Sequence, residues 1–346
     1  AINTNIMKTL YNTNFILGNE VKKFEKNISK ISETKYAVGT SSGTDSLLVS
    51  LLAIGIKKGD EVITSSFSWL SVVETILLIG AKPIYVDINL NDFNISYEEI
   101  KTKINKKTKA IISTSLFGYP CQIDRISKLA KLKKLKLIED SAQSFGSKLN
   151  GKPLSKYADI TCYSFFPSKI LGAFGDAGGI VTNDKEIYKK LIQIRNHGQK
   201  KYGESNKIIG LNARLDEIQA SILNFKIKIF KKEISIRKNV VNKLIKLLND
   251  KNIEGYTKVE RKKFHVYGQF SLLVKKRSLF INHFKKNGIP TKIFYPKPLY
   301  KQYSQKLSLI KKKTEFCCRH IVSIPINIYS NQRFNKVYEC LNSLIE

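Results

Sequence analysis

The chain alternates short apolar segments with amphipathic helical ones, and this limits what it can fold into more than any other feature. Ala37-Val38-Gly39, Glu61-Val62-Ile63-Thr64, Pro83-Ile84-Tyr85-Val86, Ala110-Ile111-Ile112-Ser113 and Leu135-Lys136-Leu137-Ile138 each read as a short buried strand. Between them Leu47, Leu48, Leu51 and Leu52, and later Val72, Val73, Ile76 and Leu77, recur at helical spacing. One strand and one helix recur every roughly 20–35 residues, which predicts an α/β chain with a mainly parallel sheet and helices on both faces. Ligands of such sheets bind beyond the carboxyl ends of the strands. Ser42, Trp69, Asp140 and Gln143 all lie just past such ends.

The flanking regions differ in character. Val21, Phe24, Ile28 and Ile31 mark a helix after a turn at Gly18-Asn19, so residues 1–35 read as helix, turn, helix. A helix is expected from Asp184 to Arg195, and a long helical pattern from Gly210–Asp216 to about Leu248. Residues 262–346 suggest a smaller α+β unit, with strands at Val266–Val274 and Thr291–Phe294 and helices at Leu279–Lys286 and Asn331–Leu344. The expected division is a large domain over 1–210, a linking helix over 211–250 and a small domain over 251–346, and 346 residues are enough for it.

Charge is the next constraint. Sixty basic and 28 acidic residues leave a formal charge of +32, which invites a polyanionic partner. Only eight of the sixty are Arg, however, and nucleic-acid readers lean on Arg for bidentate contacts. Lys131, Lys133, Lys134 and Lys136 read as solvated surface around Leu132 and Leu135, so no nucleic-acid partner is expected. No apolar run is long enough to cross a bilayer, and no membrane association is expected. Cys121, Cys162, Cys317, Cys318 and Cys340 show no C-x-x-C spacing and read as free thiols of a cytoplasmic protein. The chain starts at Ala1 without an initiator Met, and its first residues do not read as a secretory signal. The four His residues are scattered without metal-ligand spacing, so no metal is expected.

Thr161 to Thr182 stands apart from this lysine-rich background. A strand-like run leads into Phe166-Pro167-Ser168-Lys169, then a loop with Gly172, Gly175, Gly178 and Gly179, then Ile180-Val181-Thr182. Lys169 is thus held among apolar and small residues. Such surroundings disfavour the charged amine, and a neutral amine can attack a carbonyl. Two other signals are weaker. Thr40-Ser41-Ser42-Gly43-Thr44-Asp45 at a helix start suits an anion, although the same residues make an ordinary N-cap. Trp69, the only Trp, reads on its own as core.

Several motifs in order carry a family resemblance: Ser42-Gly43-Thr44-Asp45-Ser46-Leu47, Ile138-Glu139-Asp140-Ser141-Ala142-Gln143, Ser164-Phe165-Phe166-Pro167-Ser168-Lys169, Gly175-Asp176-Ala177-Gly178-Gly179, Arg195-Asn196-His197-Gly198, Leu211-Asn212-Ala213-Arg214-Leu215-Asp216 and Tyr295-Pro296-Lys297-Pro298-Leu299. In these the whole chain resembles the DegT/DnrJ sugar aminotransferases, fold-type I enzymes that use pyridoxal 5′-phosphate (PLP). The resemblance implies a mainly parallel seven-stranded sheet with a smaller C-terminal α+β domain.

It also implies roles, residue by residue. Lys169 matches the Schiff-base lysine, which also moves the proton. Asp140 matches the carboxylate beside the pyridine nitrogen, where an anion keeps the ring protonated and electron-withdrawing. Glu139 is the rival carboxylate, but strand alternation turns it to the other face. Gly43, Thr44 and Ser164 match phosphate donors, Gln143 a neighbour of the cofactor's 3′ oxygen, and Trp69 the aromatic that stacks on the ring, against the core reading above. Asn212 matches a residue that reaches the phosphate of a partner subunit in a homodimer with shared active sites. Arg214 and Tyr295 match substrate positions. For Arg214 a surface ion pair with Asp216 or Glu217 is the rival reading.

The implied reaction moves the amino group of L-glutamate to a nucleotide-linked keto-sugar for surface polysaccharide. The finer resemblance is to enzymes that aminate UDP-2-acetamido-2-deoxy-3-oxo-glucuronate. There the residue before the Tyr of Tyr-Pro-x-Pro-Leu tends to be His, whereas this chain has Phe294, which leaves 3- or 4-keto-6-deoxy sugars open. A dinucleotide oxidoreductase is disfavoured, because the Gly172–Gly179 glycines fall late and do not spell G-x-G-x-x-G. A PLP-dependent sugar dehydratase would have His where Lys169 stands.

Overall fold

The computed structural model describes residues 2–200, 208–250, 254–303, 310–326 and 331–345. Helices α1 (Ile2–Tyr11) and α2 (Asn19–Ile31) lead into β1 (Tyr36–Thr40), α3 (Gly43–Ala53), β2 (Glu61–Ser65), α4 (Ser71–Leu78), β3 (Lys82–Val86), α5 (Tyr97–Lys103), β4 (Thr108–Thr114), α6 (Ile123–Leu132) and β5 (Lys136–Asp140). A small hairpin, β6 (Lys148–Leu149) and β7 (Lys152–Pro153), precedes β8 (Ile160–Ser164), β9 (Gly178–Thr182) and α7 (Lys185–Arg195). Helix α8 (Glu217–Asp250) follows, then β10 (Lys263–Phe264), β11 (Phe270–Leu273), α9 (Arg277–Lys286), α10 (Lys312–His320), β12 (Ile321–Ile324) and α11 (Asn331–Ile345).

Seven strands form the central sheet in the order β1-β9-β8-β5-β4-β2-β3. Neighbours from β8 to β3 pair in parallel, and β9 runs antiparallel to both β1 and β8. Alternate side chains feed two cores. Val62, Ile112, Ile138 and Ile160 pack on the face covered by α3, α4 and α7. Ile63, Ile111 and Leu137 pack with α5 and α6 on the other face. Burial on both faces explains the nearly continuous apolar strands, each large buried side chain contributing about 1.5–3 kcal/mol. Glycine is required where β9 passes beneath the first turn of α3: a Cβ on Gly178 would stand 2.1 Å from the Ser42 carbonyl oxygen.

Helix α8 has 34 residues, about 50 Å at the usual rise, and serves two cores. Phe230 and Ile234 pack with Phe24, Phe145 and Phe165. Val241, Leu244 and Leu248 pack with Phe270, Phe284, Val322 and Leu341. The C-terminal region differs from expectation in detail. Thr291–Phe294 is not a strand; it contributes only an isolated bridge from Lys292 to Ser323. The partner of β11 is β12, and the register pairs Phe270 with Ile324 and Leu273 with Ile321. Helix α10 also went unforeseen, since Lys312–His320 shows little apolar periodicity.

Asp87, just past β3, holds α10 in place. Its carboxylate accepts from Thr314 N–H at 2.8 Å, Thr314 Oγ1 at 2.7 Å and Lys313 N–H at 3.1 Å. The helix supplies no side-chain cap of its own, so an acid from the sheet edge satisfies its first amides.

Candidate active site

Strands β8, β5, β4 and β2 run in parallel, so their carboxyl ends share one edge, and most of the expected site residues lie there. Asp140 ends β5 and is buried. Its carboxylate accepts from Ala142 N–H at 3.0 Å. Burial raises its pKa, against which the Ala142 amide, the Lys169 ammonium and the Thr114 hydroxyl all act. Lys169 follows β8 in a tight loop, its amide bonded to the Phe166 carbonyl at 2.9 Å. Burial lowers the amine below the usual lysine range, and the Asp140 carboxylate partly offsets this. The lysine and carboxylate singled out by motif are therefore electrostatic neighbours.

The loop that carries Lys169 is firmly built. Phe165 and Ala177 bond across its base at 2.8 Å, and Ala173 N–H reaches the Phe165 carbonyl at 2.7 Å. A Cβ on Gly172 would meet the Pro167 carbonyl oxygen at 2.5 Å, so the chain folds back where only glycine fits. Lys226 and Gln219 of α8 hold the far side, at 2.6 Å to the Gly172 carbonyl and 2.9 Å to the Phe174 amide.

Gly43 and Ser164 meet directly: a Cβ on Gly43 would lie 2.6 Å from the Ser164 Cβ. Ser42 caps α3 by accepting from Asp45 N–H at 3.0 Å, and the first intrahelical bond is Ser46 N–H to the Ser42 carbonyl. The amides of Gly43 and Thr44 precede that bond, so the helix gives them no acceptor. Capping and anion binding are thus compatible here. The Thr44 hydroxyl bonds Ser71 Oγ at 2.8 Å and brings the start of α4 alongside. These residues form a cradle that suits a phosphate. Ser164 ends β8, the strand that leads to Lys169, so the cradle and the Lys169–Asp140 pair belong to one sheet edge and together suit PLP.

Gln143 is bonded at both ends. Its Oε1 accepts from Phe117 N–H at 2.9 Å, and its Nε2 donates to the Tyr295 hydroxyl at 2.7 Å. An amide N–H can only donate, so Phe117 fixes which way the side chain points. Tyr295 is buried, edge-on to Phe67 at 5.6 Å and tilted against Trp69 at 6.0 Å. Trp69 is 54% exposed, which corrects its reading as core.

Glu139 is fully buried on the opposite face, where Ser113 Oγ donates to it. Burial pushes its carboxyl up to about 8. Of the two adjacent acids, only Asp140 faces Lys169.

Asn212 and Arg214 do not open α8 as expected, because the helix begins at Glu217. They lie in an extended segment instead. Asn212 bridges Asn196, Arg214 bridges Thr40, and Ser41 N–H bonds the Ala213 carbonyl at 3.1 Å. Arg214 Nη1 donates to Asn196 Oδ1 at 3.2 Å. Glu217, its suggested ion-pair partner, accepts instead from the Glu20 and Val21 amides at 2.8 and 2.9 Å. Neither Asn212 nor Arg214 bonds Lys169, Asp140 or Gln143 among the described residues.

Two supporting residues escaped the sequence reading. Phe117 sits at φ 58 and presents its amide to Gln143. His265, from the C-terminal third, holds the Phe117 carbonyl at 3.0 Å through Nε2. The run Phe117-Gly118-Tyr119-Pro120 signals a turn, but nothing local shows which side chain its amides meet.

This geometry has counterparts. Over 301 residues the chain is 38% identical to the UDP-2-acetamido-2-deoxy-3-oxo-D-glucuronate aminotransferase of Pseudomonas aeruginosa, covering 87% of this chain and 83% of that protein. It is 36% identical over 331 residues to the dTDP-3-amino-3,6-dideoxy-alpha-D-galactopyranose transaminase of Aneurinibacillus thermoaerophilus, covering 95% and 91%. Its fold superposes with a TM-score of 0.93 on the crystal structure of NtdA from Bacillus subtilis with bound cofactor PMP, at 30% identity, covering 99% of this chain and 81% of that one. The model of one aminotransferase family matches residues 1–342. A lysine whose charge is disfavoured, set against a buried carboxylate at the sheet edge, is what such chemistry requires, and the chain belongs to the DegT/DnrJ/EryC1/StrS aminotransferase family, which uses PLP.

Proposed function

We propose that this PLP-dependent aminotransferase moves the amino group of L-glutamate to a 3-keto sugar carried on a nucleotide, with UDP-2-acetamido-2-deoxy-3-oxo-glucuronate as the first candidate, in the synthesis of surface polysaccharide. The observation that carries the chemistry is the Lys169–Asp140 pair. The Pseudomonas relative at 38% identity supports the substrate.

Bound PLP supplies an electron sink. The protein's own residues supply the rest. Asp140, beside Lys169 and the Ala142 amide, would accept the hydrogen of the protonated ring nitrogen. Lys169 Nζ, whose charged form burial disfavours, would take the proton from the substrate carbon and return it. Gly43, Thr44 and Ser164 would hold the phosphate, and Gln143 would neighbour the 3′ oxygen. Trp69 offers an exposed aromatic face, and Tyr295 helps to bound the sugar.

Phe294 favours a second reading. It stands where a polar His would suit a uronate, and the Aneurinibacillus relative is named for a 3,6-dideoxy sugar. A 3- or 4-keto-6-deoxy nucleotide sugar is therefore the alternative. A panel of UDP-, dTDP- and GDP-linked keto-sugars, assayed with glutamate for 2-oxoglutarate release, separates the two. Turnover of 6-deoxy sugars alone overturns the uronate.

We further propose a cytoplasmic homodimer with shared sites. Phe166, Phe174 and Ile209 are exposed, Ile209 to 94%, and Phe15 and Ile16 are exposed beside the start of α8. Apolar side chains left open around a site are what a second subunit covers. Asn212 and Arg214 lie in this region and would reach the partner's phosphate and sugar.

A further inference from the structure

The segment between β10 and β11 closes over the backbone at Phe117-Gly118. Val266 N–H reaches the Gly118 carbonyl and Gln269 N–H the Phe117 carbonyl, each at 3.3 Å. Two glycines allow the approach. A Cβ on Gly118 would stand 2.8 Å from the Gly268 amide nitrogen, and one on Gly268 would stand 2.5 Å from the Gln143 carbonyl oxygen.

His265 opens this segment. It is buried, its ring centre 3.9 Å from that of Tyr267 and edge-on to Tyr119 at 5.4 Å. Its Nε2 lies 3.0 Å from the Phe117 carbonyl oxygen, which can only accept, so Nε2 carries the hydrogen. Nδ1 has no hydrogen-bond partner among the described residues. Burial lowers the imidazole to about 3, so the ring is neutral and this one donor is what it offers.

Phe117 has φ 58, a left-handed conformation that a non-glycine residue keeps only where its surroundings enforce it. In that conformation its N–H meets Gln143 Oε1 at 2.9 Å. The other end of the Gln143 amide meets the Tyr295 hydroxyl, and a hydroxyl can donate or accept. Tyr295 would therefore bond the amide in either orientation. The Phe117 N–H can only donate, so Phe117 decides which end is which.

We propose that His265 is a positioning residue for the cofactor: it holds the Phe117 carbonyl, keeps the Phe117 amide on Gln143 Oε1, and so sets the end of Gln143 presented to the 3′ oxygen of PLP. This rests on the reading that Gln143 neighbours that oxygen. The visible absorbance of bound PLP follows the charge on its ring system, and a donor or acceptor set against the 3′ oxygen shifts that balance.

The test uses the full-length PLP-loaded protein. His265→Asn carries its amide near the Nδ1 position, short of the Phe117 carbonyl, whereas His265→Gln restores a donor near Nε2. His265→Asn is expected to shift the visible band of bound PLP in the same direction as Gln143→Leu. It is also expected to slow the bleaching of that band by saturating L-glutamate about tenfold. His265→Gln is expected to stay near wild type in both. Added to Gln143→Leu, His265→Asn is expected to change neither further, because it acts through a side chain already gone. A merely structural role would add its loss in both backgrounds. Circular dichroism verifies the fold, and His265→Phe, which fills the space without a donor, replaces any His265→Asn protein that does not fold. If Gln143→Leu leaves the band unshifted, the reading of Gln143 is overturned and this inference with it. A band that Gln143→Leu shifts and His265→Asn does not, or a further loss in the double variant, overturns this inference alone.

Discussion

Gln143 Nε2 donates to the Tyr295 hydroxyl at 2.7 Å, across 152 residues of chain. The bond joins the turn after β5 to the segment ahead of α10, and Phe117 fixes the other end of the same amide. Tyr295→Phe keeps the ring and its contacts with Phe67 and Trp69 but leaves Gln143 Nε2 short of an acceptor. An unpaired buried donor costs about 1–3 kcal/mol. A lower melting temperature and a roughly tenfold lower kcat/KM are expected. Unchanged melting would mean that the bond contributes nothing to the native state.

Lys169→Ala is expected to lower transamination at least about a thousandfold. In the wild-type protein, borohydride reduction followed by peptide mapping should place the pyridoxyl group on the peptide containing Lys169. A label on any other lysine rules the assignment out.

Asp140→Asn removes the anion that faces Lys169. The variant is expected to retain PLP, seen by its visible absorbance, and to lose about a hundredfold or more in kcat. Near-normal turnover would move the ring-nitrogen role to another residue.

Glu139 gives a pH signature. Its carboxyl is raised from 4.5 to about 8 in the folded state. Between those values the native protein holds a proton that the unfolded chain has released, so this group's contribution to stability falls as pH rises across the window and levels off above it. Glu139→Gln keeps the shape and removes the titration. Melting temperatures between pH 5 and 8 should therefore decline less in the variant. An identical decline in both proteins counts against a neutral Glu139.

Lys169→Ala and Arg214→Ala test the shared site. If both are inactive alone, mixing them with subunit exchange should restore activity, because one site in each heterodimer has both wild-type residues. With exchange confirmed, no recovery places Arg214 in its own subunit's site or outside any site.

The large unit was legible because its signals are local. A buried parallel strand reads as an apolar run, and Asp140, Ser164 and Lys169 fall where such runs end. The rest depends on distant partners. The residues before α8 have helical composition, but their backbone is used in bridges to Thr40 and Asn196, which delays the helix to Glu217. Trp69 reads on its own as core because large aromatics usually are, whereas the motif match sets it on the cofactor ring, and its 54% exposure beside Tyr295 puts it at a rim. Strand β12 has four residues and no turn signal ahead of it, so it is recognisable only from its pairing with β11.

The capping of α10 by Asp87 also bears on how the enzyme moves. A helix anchored by its own residues can travel with its domain; one anchored by the neighbouring sheet cannot leave without exposing its first amides. The C-terminal unit is therefore latched at β3. Swinging it outward would break three bonds to one carboxylate at once. Tyr295 precedes that helix and is bonded back to Gln143, so the C-terminal residues are tied to the sheet at two places. Closure on a substrate by a swing of these residues would have to part both ties, whereas side-chain and loop movements around them would leave both intact.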